Sequence, residues 1–364
     1  MMKIFFSSDI FLLQRYGGIS RYFTQLASNL AKKKECDLSI GGSLFLNEHL
    51  NQAPSSIKRG KMIYLNTRIG YIINYISKIF QNIHNKIYKP DIIHCTYYSR
   101  NIKKIKGTKL VVTVFDMIHE LFADQYSKFD CTSANKRRSV KVADHIICIS
   151  EQTKKDLIRL FGVDEKKISV TMLGFSLPKT HTVNLIFDKA FILFVGSRKS
   201  YKNFKSLFIA YASNAELFSN YNLIAFGGEP FSKDELSMLA DFKLSGNVIH
   251  ISGDDSKLAF YYMNASIFVY PSMYEGFGIP PLEAMSFGCP VACSNVSSIP
   301  EVVGDAAAKF DPESVKSIES ALLKVLKDPN YKSDLIRRGR ERVKLFSWES
   351  CADQTFEIYR KILN

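Results

Sequence analysis

The chain has 364 residues, enough at roughly 150 per domain for two domains with a core each. No apolar run reaches about 18 residues, so no membrane-spanning helix is expected, and the seven cysteines, odd in number and without a CxxC pair, give neither a disulfide framework nor a zinc site and point to a reducing cytosol. The net charge of +14 leaves an anionic membrane surface, a phosphorylated ligand or a nucleic acid as partners.

The opening MMKIFFSSDIF reads as a first strand over residues 3–6 and not as a signal peptide, since a single lysine precedes a short apolar run that soon turns polar. A loop then reaches Gly17-Gly18-Ile19-Ser20-Arg21, after which Ile19, Tyr22, Phe23, Leu26 and Leu30 recur at helical spacing. A glycine pair opening a helix allows close backbone approach to an anion, although the same pair is a commonplace turn. The GxGxxG pattern of a dinucleotide site is missing, which counts against a dehydrogenase.

Charge is concentrated in the first half: residues 1–180 hold 29 Lys and Arg against 14 Asp and Glu, whereas residues 181–364 hold 20 against 21. Between Glu48 and Asp91 there is no acid, only Lys58, Arg59, Lys61, Arg68, Lys78, Lys86 and Lys89. Within this stretch Ile72, Ile76, Ile79, Ile83 and Ile87 follow helical spacing with Tyr71, Tyr75 and Phe80 nearby, giving a basic, aromatic amphipathic helix over residues 68–89. As a crossover helix it packs its isoleucines on a sheet. As a functional surface, with Arg68, Lys78, Lys86 and Lys89, it meets an anionic membrane or a lipid diphosphate, each basic residue adding about 1 kcal/mol. No helix-turn-helix, zinc or RNA-binding signature supports nucleic acid.

Further strands are expected at residues 91–95, 110–114, 145–149 and 168–173. His94 reads as a strand-end core residue. The strand 110–114 runs into Phe115-Asp116-Met117-Ile118-His119-Glu120, which places two carboxylates and an imidazole at its carboxyl end. An N-capping Asp and a structural His explain these residues as well as a catalytic role does. A boundary is expected near residues 178–184, giving domains 1–180 and 181–345.

The second half alternates strands at 191–195, 222–226, 248–251, 267–270 and 290–294 with helical segments such as 204–211 and 257–263. That order implies parallel sheets with helices on both faces, and hence two doubly wound, Rossmann-like domains facing across a cleft, with ligands at the carboxyl ends of the strands. Residues 191–205, FILFVGSRKSYKNFK, end a strand in Gly196 and follow it with Arg198, Lys199, Lys202 and Lys205, cations suited to a diphosphate or to plain solvation. Residues 346–364 read as a last amphipathic helix around Trp348.

The densest signal is residues 270–290, YPSMYEGFGIPPLEAMSFGCP. Pro271 ends the strand, Gly276 and Gly278 permit unusual backbone conformations, and Pro280 and Pro281 suit the first turn of a helix whose free N–H groups attract anions. Glu283, placed in that first turn, can accept hydrogen bonds from ribose hydroxyls, and Glu275 sits on the loop nearer whatever the phosphates carry. An ordinary strand–loop–helix crossover with exposed glutamates is the bland alternative.

The run EGFGIPPLEAMSFGCPV closely resembles the donor-site signature of the retaining family-4 (group 1) glycosyltransferases, as found in bacterial surface-polysaccharide and O-antigen enzymes. The resemblance implies the GT-B fold, with a final helix crossing back onto the N-terminal domain. It implies a donor site of Gly17, Gly18, Gly196, Arg198, Lys202, Glu275, Gly276, Phe277, Gly278, Ile279 and Glu283. Glu275, Arg198, Lys202, Asp116 and His119 carry the catalytic expectations. Lys202 matches the family's lysine position; the arginine is displaced by one, Ser197 standing in the commoner place, and Phe115 stands where many members have histidine.

The implied reaction moves a sugar, mannose or another hexose, from a nucleoside diphosphate to a hydroxyl of a glycan, such as a polyprenyl-diphosphate-linked oligosaccharide, at the cytoplasmic face of the membrane. No cofactor and no metal are implied, and Asp254-Asp255 is not an Asp-x-Asp metal site. A sugar phosphorylase or epimerase on the same architecture, and a basic nucleic-acid-binding module, are the alternatives.

Overall fold

Each half of the chain builds a six-stranded, wholly parallel sheet. The computed structural model describes residues 1–42, 44–58, 60–63, 77, 79, 81, 83–100, 102, 104–176, 189–198 and 200–364. Two units emerge, Met1–Gly174 with Phe346–Asn364, and Phe175–Leu345. The division falls just before the stretch 178–184 where the sequence suggests a boundary; that stretch lies outside the described residues.

In the first unit the strands are β1 (Met2–Phe6), β2 (Cys36–Ile40), β3 (Leu44–Phe45), β4 (Lys61–Met62), β5 (Ile92–Cys95), β6 (Lys109–Val114), β7 (His145–Cys148) and β8 (Ile168–Val170). The main sheet runs β2-β1-β5-β6-β7-β8, and β3 and β4 form a small parallel pair of their own. Three of these strands have no counterpart in the sequence reading. β2 (CDLSI) mixes polar with apolar residues at a sheet edge, and β3 and β4 are two residues long.

The helix Trp348–Leu363 belongs to this unit although it closes the chain. Ser347 caps it by accepting from Ser350 N, and Trp348, Cys351, Ala352, Thr355, Phe356 and Tyr359 are buried at three- and four-residue spacing. It packs on the helix Gly18–Leu30, with the Trp348 and Tyr22 rings 6.2 Å apart. Gly174 makes room for it: a Cβ there would lie 2.3 Å from Trp348 N. His94 is buried in β5, between the hydroxyls of Tyr359 (2.6 Å from Nδ1) and Thr113 (2.8 Å from Nε2).

The basic segment is helical at Ser77, Ile79, Gln81 and 83–88; Arg68, Lys78, Ile72 and Ile76 lie outside the described residues. Where it is described, its isoleucines do not pack on the sheet. Ile79, Ile83 and Ile87 are exposed, at 43%, 49% and 77%, while Ser77, Asn85 and Tyr88 are buried. The inward face finds polar partners: Gln81 Oε1 accepts from Ser8 N and Oγ, His84 Nε2 meets Ser39 Oγ, and Tyr88 OH donates to the Asp37 carbonyl. These bonds fix the helix with its aliphatic stripe and the exposed Lys86 and Lys89 outward.

The second unit holds β9 (Ala190–Val195), β10 (Tyr221–Phe226), β11 (Val248–Ile251), β12 (Ile267–Tyr270), β13 (Val291–Ser294) and β14 (Ala308–Phe310), in the order β11-β10-β9-β12-β13-β14. Ile192, Phe194, Leu223, Ile267, Val269 and Ala292 join helix residues such as Phe208 and Leu322 in one core. Strand order reverses between β9 and β12, so the loops leaving their carboxyl ends flank the topological switch point, where open α/β sheets bind ligands.

Candidate active site

The loop after β12 and the loop after β9 are joined by Met273 N donating to the Tyr201 carbonyl at 2.7 Å. Across this junction Lys202 Nζ sits 2.6 Å from Glu275 Oε1, and both side chains are mostly buried, at 18% and 10% exposure. Lys202 also lies over the Tyr270 ring, 5.6 Å from its centroid. Burial, followed by the neighbouring Glu275 carboxylate, pushes the Tyr270 phenol well above its ordinary range.

Two serines after β13 fix the glutamate loop. Ser297 Oγ accepts from Glu275 N and donates to the Glu275 carbonyl, and Ser298 Oγ bridges the carbonyls of Glu275 and Phe277. Gly278 then adopts φ 111° as N-cap of the helix Ile279–Ser286, with Pro280 and Pro281 in its first turn. A side chain there would be strained. Glu283 falls in the second turn and not the first, because the helix starts at Ile279; its Oε2 accepts from Tyr262 OH at 3.2 Å.

Gly196, at φ 122°, ends β9, and Arg198 follows with its guanidinium drawn toward the loop after β10. Nε donates to Glu235 Oε1 at 2.6 Å, and Nη2 donates to the Glu229 and Pro230 carbonyls. The Phe231 ring stacks 4.7 Å from its centre. Burial works against the Glu235 charge, but Arg198 and the Ser232 N–H outweigh it and hold the carboxyl below its usual range. Arg198 Nη1 is buried and has no partner among the described residues. Lys202 and Glu275 are thus brought together, whereas Arg198 is oriented by Glu235; Lys199 lies outside the described residues.

In the first unit, Gly17 caps the helix Gly18–Leu30. A Cβ at Gly17 would meet the Gln14 side chain at 2.2 Å, whereas one at Gly18 meets nothing within 4 Å. Asp116 turns the chain after β6 by accepting from Ile118 N at 3.0 Å. His119 stacks on Tyr126 with ring centroids 4.1 Å apart, and its Nε2 lies 3.6 Å from Asp130 Oδ2. Phe115 is buried edge-on to Tyr22.

Sequence reasoning passed over Lys136, whose side chain is 1% exposed. Its Nζ donates to Glu120 Oε2 at 2.7 Å and to the Asp116 carbonyl at 2.9 Å, which locks the 116–120 turn. Ser297, Ser298 and Glu235 were also unmarked; only the hydroxyl-rich SNVSSIP after a strand hinted at the first two. Among the described residues no cluster of three His, Cys, Asp or Glu side chains could hold a metal ion.

Two doubly wound units, one carrying a lysine–glutamate pair and a second glutamate at its switch point, are the architecture of a GT-B glycosyltransferase. The fold of Thermosynechococcus elongatus sucrose-phosphate synthase superposes with a TM-score of 0.75 at 21% identity, covering 100% of this chain and 99% of that one. Anabaena HepE in complex with UDP and glucose gives 0.70 at 16%, covering 98% and 99%. Residues 16–176 match the model of Glycosyltransferase Family 4, and residues 178–342 match that of Glycosyl transferases group 1. The Escherichia coli O-antigen chain mannosyltransferase B is 30% identical over 386 aligned positions, spanning 99% of this chain and all of the relative. The chain belongs to the group 1, family-4 glycosyltransferases.

Proposed function

We propose that the chain transfers a hexose, with mannose the first candidate, from a nucleoside-diphosphate sugar to a glycan hydroxyl, retaining the anomeric configuration and requiring no metal. The observation that carries this reading is the Lys202–Glu275 pair at the β9/β12 switch point. A diphosphate arriving there exchanges one carboxylate partner of Lys202 for phosphate oxygens, and Arg198 Nη1 supplies a further donor. Positive charge fixed in advance stabilises the departing diphosphate without reorganisation. Glu275 and the Gly276–Gly278 backbone orient the sugar, Phe277 and Ile279 line the turn, and Glu283 holds the ribose. Gly17, Gly18, Asp116 and His119 serve the donor sugar and the acceptor from the first unit. The acceptor hydroxyl attacks the face that the diphosphate vacates and passes its proton to a phosphate oxygen.

The E. coli relative, matched over its whole length, is named for O-antigen chain mannosyl transfer, which supports mannose and a growing O-antigen glycan; a capsule glycan and a polyprenyl-diphosphate carrier are part of the proposal alone. Among the described residues no helix is long and apolar enough to cross a membrane. Peripheral contact at the cytoplasmic face fits the outward Ile79, Ile83 and Ile87 with Lys86 and Lys89. The test is a thermal-shift titration with UDP, GDP, dTDP and their sugar conjugates without added metal, followed by NMR of the product anomer. Stabilisation by one nucleotide and a retained anomer support the reading; an inverted anomer, or no stabilisation by any nucleotide, overturns it.

A further inference from the structure

Among the described residues four side chains other than glycine sit at positive φ: Lys89, Asn203, Lys243 and Ser297. Lys89 and Lys243 lie just past helix ends, where a left-handed residue is an ordinary stop. The other two do not. Asn203, at φ 57°, opens the helix Phe204–Ala212 directly after Lys202, and Ser297, at φ 59°, follows β13 and bonds to Glu275. One strained residue therefore stands beside each member of the Lys202–Glu275 pair. Residues stay in this region only where their surroundings hold them there, and they gather at functional sites.

The holding bonds act on the backbone of the pair. An N-cap residue normally has extended backbone and turns its side chain onto the N–H groups of its own helix. Asn203 does neither: it is left-handed, makes no side-chain cap bond, and its Nδ2 donates at 2.8 Å to the Pro312 carbonyl, 109 positions away. That bond anchors the turn Ser200–Lys202 to the loop after β14. Ser297 Oγ accepts from Glu275 N at 3.1 Å and donates to the Glu275 carbonyl at 2.7 Å. One hydroxyl thus grips both peptide groups that flank the Glu275 Cα, restricting its rotation, while the carboxylate stays directed at Lys202 Nζ.

We infer that Asn203 and Ser297 are positioning residues that fix the approach of Lys202 to Glu275, Asn203 by holding the backbone of the lysine and Ser297 that of the glutamate. The inference deepens the glycosyltransferase reading above and rests on it for the kinetic consequence. Charge that must rearrange during reaction stabilises a transition state less than charge fixed beforehand, so loosening either anchor slows transfer while both charged groups remain. Glycine is the discriminating substitution, because it adopts the left-handed backbone without strain and removes only the anchoring side chain.

The experiment is a double-mutant cycle on the full chain: Lys202→Met, Glu275→Gln and the two together are melted in three backgrounds, wild type, Ser297→Gly and Asn203→Gly. The cycle reports the coupling within the pair, from which a general loss of stability cancels. That coupling, read as a shift in melting temperature, should fall by about half or more in each glycine background. In transfer assays well below the melting transition, Ser297→Gly should lower kcat by about tenfold or more with donor KM within about twofold. Asn203→Gly should also raise donor KM, because Lys202 meets the diphosphate. No coupling in wild type, or undiminished coupling in both glycine backgrounds, overturns the inference; undiminished coupling in one removes that residue's role. A wild-type kcat in Ser297→Gly overturns its part in the reaction. If the wild type transfers sugar from no nucleotide, the donor reading falls and the coupling alone decides the positioning role, so the two failures are separable.

Discussion

Lys202 Nζ and Glu275 Oε1 stand 2.6 Å apart at the junction of two loops that are distant in sequence and adjacent at the switch point. Removing one member of a mostly buried pair leaves the other charge uncompensated, at a cost of about 3 kcal/mol or somewhat more. Lys202→Met should therefore lower both stability and kcat, the latter by about a hundredfold or more if the ammonium stabilises the leaving group. The double variant Lys202→Met with Glu275→Gln separates the two effects. It should recover most of the melting temperature and none of the activity. Recovery of activity with stability would reduce the pair to a structural clamp.

Glu283 accepts from Tyr262 OH, and the buried phenol is pushed far up, first by burial and then by that carboxylate. Tyr262 therefore stays a donor and fixes one carboxylate oxygen. Glu283→Ala should raise donor KM by about ten- to a hundredfold with little change in kcat, the pattern of lost uniform binding. Tyr262→Phe should give a smaller rise of the same kind. Initial-rate kinetics with varied donor check both, and an unchanged donor KM in Glu283→Ala would remove the ribose role.

The parts legible in sequence were those with local causes. Runs such as FILFV and IFVY are apolar, rich in β-branched and aromatic residues, and bounded by turn signals, so β9 and β12 were found within a residue. Glu275, Gly278 and Lys202 were legible because one loop and one motif spacing carry them. Arg198 meeting Glu235 across 37 positions, or Lys136 reaching back to Glu120, leaves no local trace. The helical residues 77, 79, 81 and 83–88 are the sharper lesson. Periodicity exposed their isoleucine stripe, but which side meets the sheet was decided by Ser8, Ser39 and the Asp37 carbonyl, which bind their polar side.

His94 couples the closing helix to acid stability. Complete burial lowers its pKa from 6.5 to about 3. Between those values the unfolded chain binds a proton that the native chain refuses, so stability is full above about pH 6.5 and declines as the pH falls toward 3. His94→Gln should flatten the fall in melting temperature between pH 6.5 and about 4, while costing some stability at neutral pH through altered bonds to Tyr359 and Thr113. Calorimetry across that range checks it. An unchanged slope would move the acid sensitivity to other groups, such as His145, which burial also lowers.

Ile79, Ile83 and Ile87 present an aliphatic stripe to solvent beside Lys86 and Lys89, and the helix is held by its other face. Replacing all three isoleucines by serine should therefore leave the melting temperature nearly unchanged. If the stripe enters a lipid interface, the same variant should lose most of its binding to vesicles rich in anionic lipid, since burying each isoleucine is worth about 1.5 kcal/mol or more. Lys86→Glu with Lys89→Glu should weaken binding by about tenfold or more and abolish much of its salt dependence, as each near-surface lysine contributes about 1 kcal/mol. Cosedimentation at two ionic strengths distinguishes the apolar from the electrostatic share. Wild-type binding by both variants would place any lipid contact elsewhere and remove the membrane role of this face.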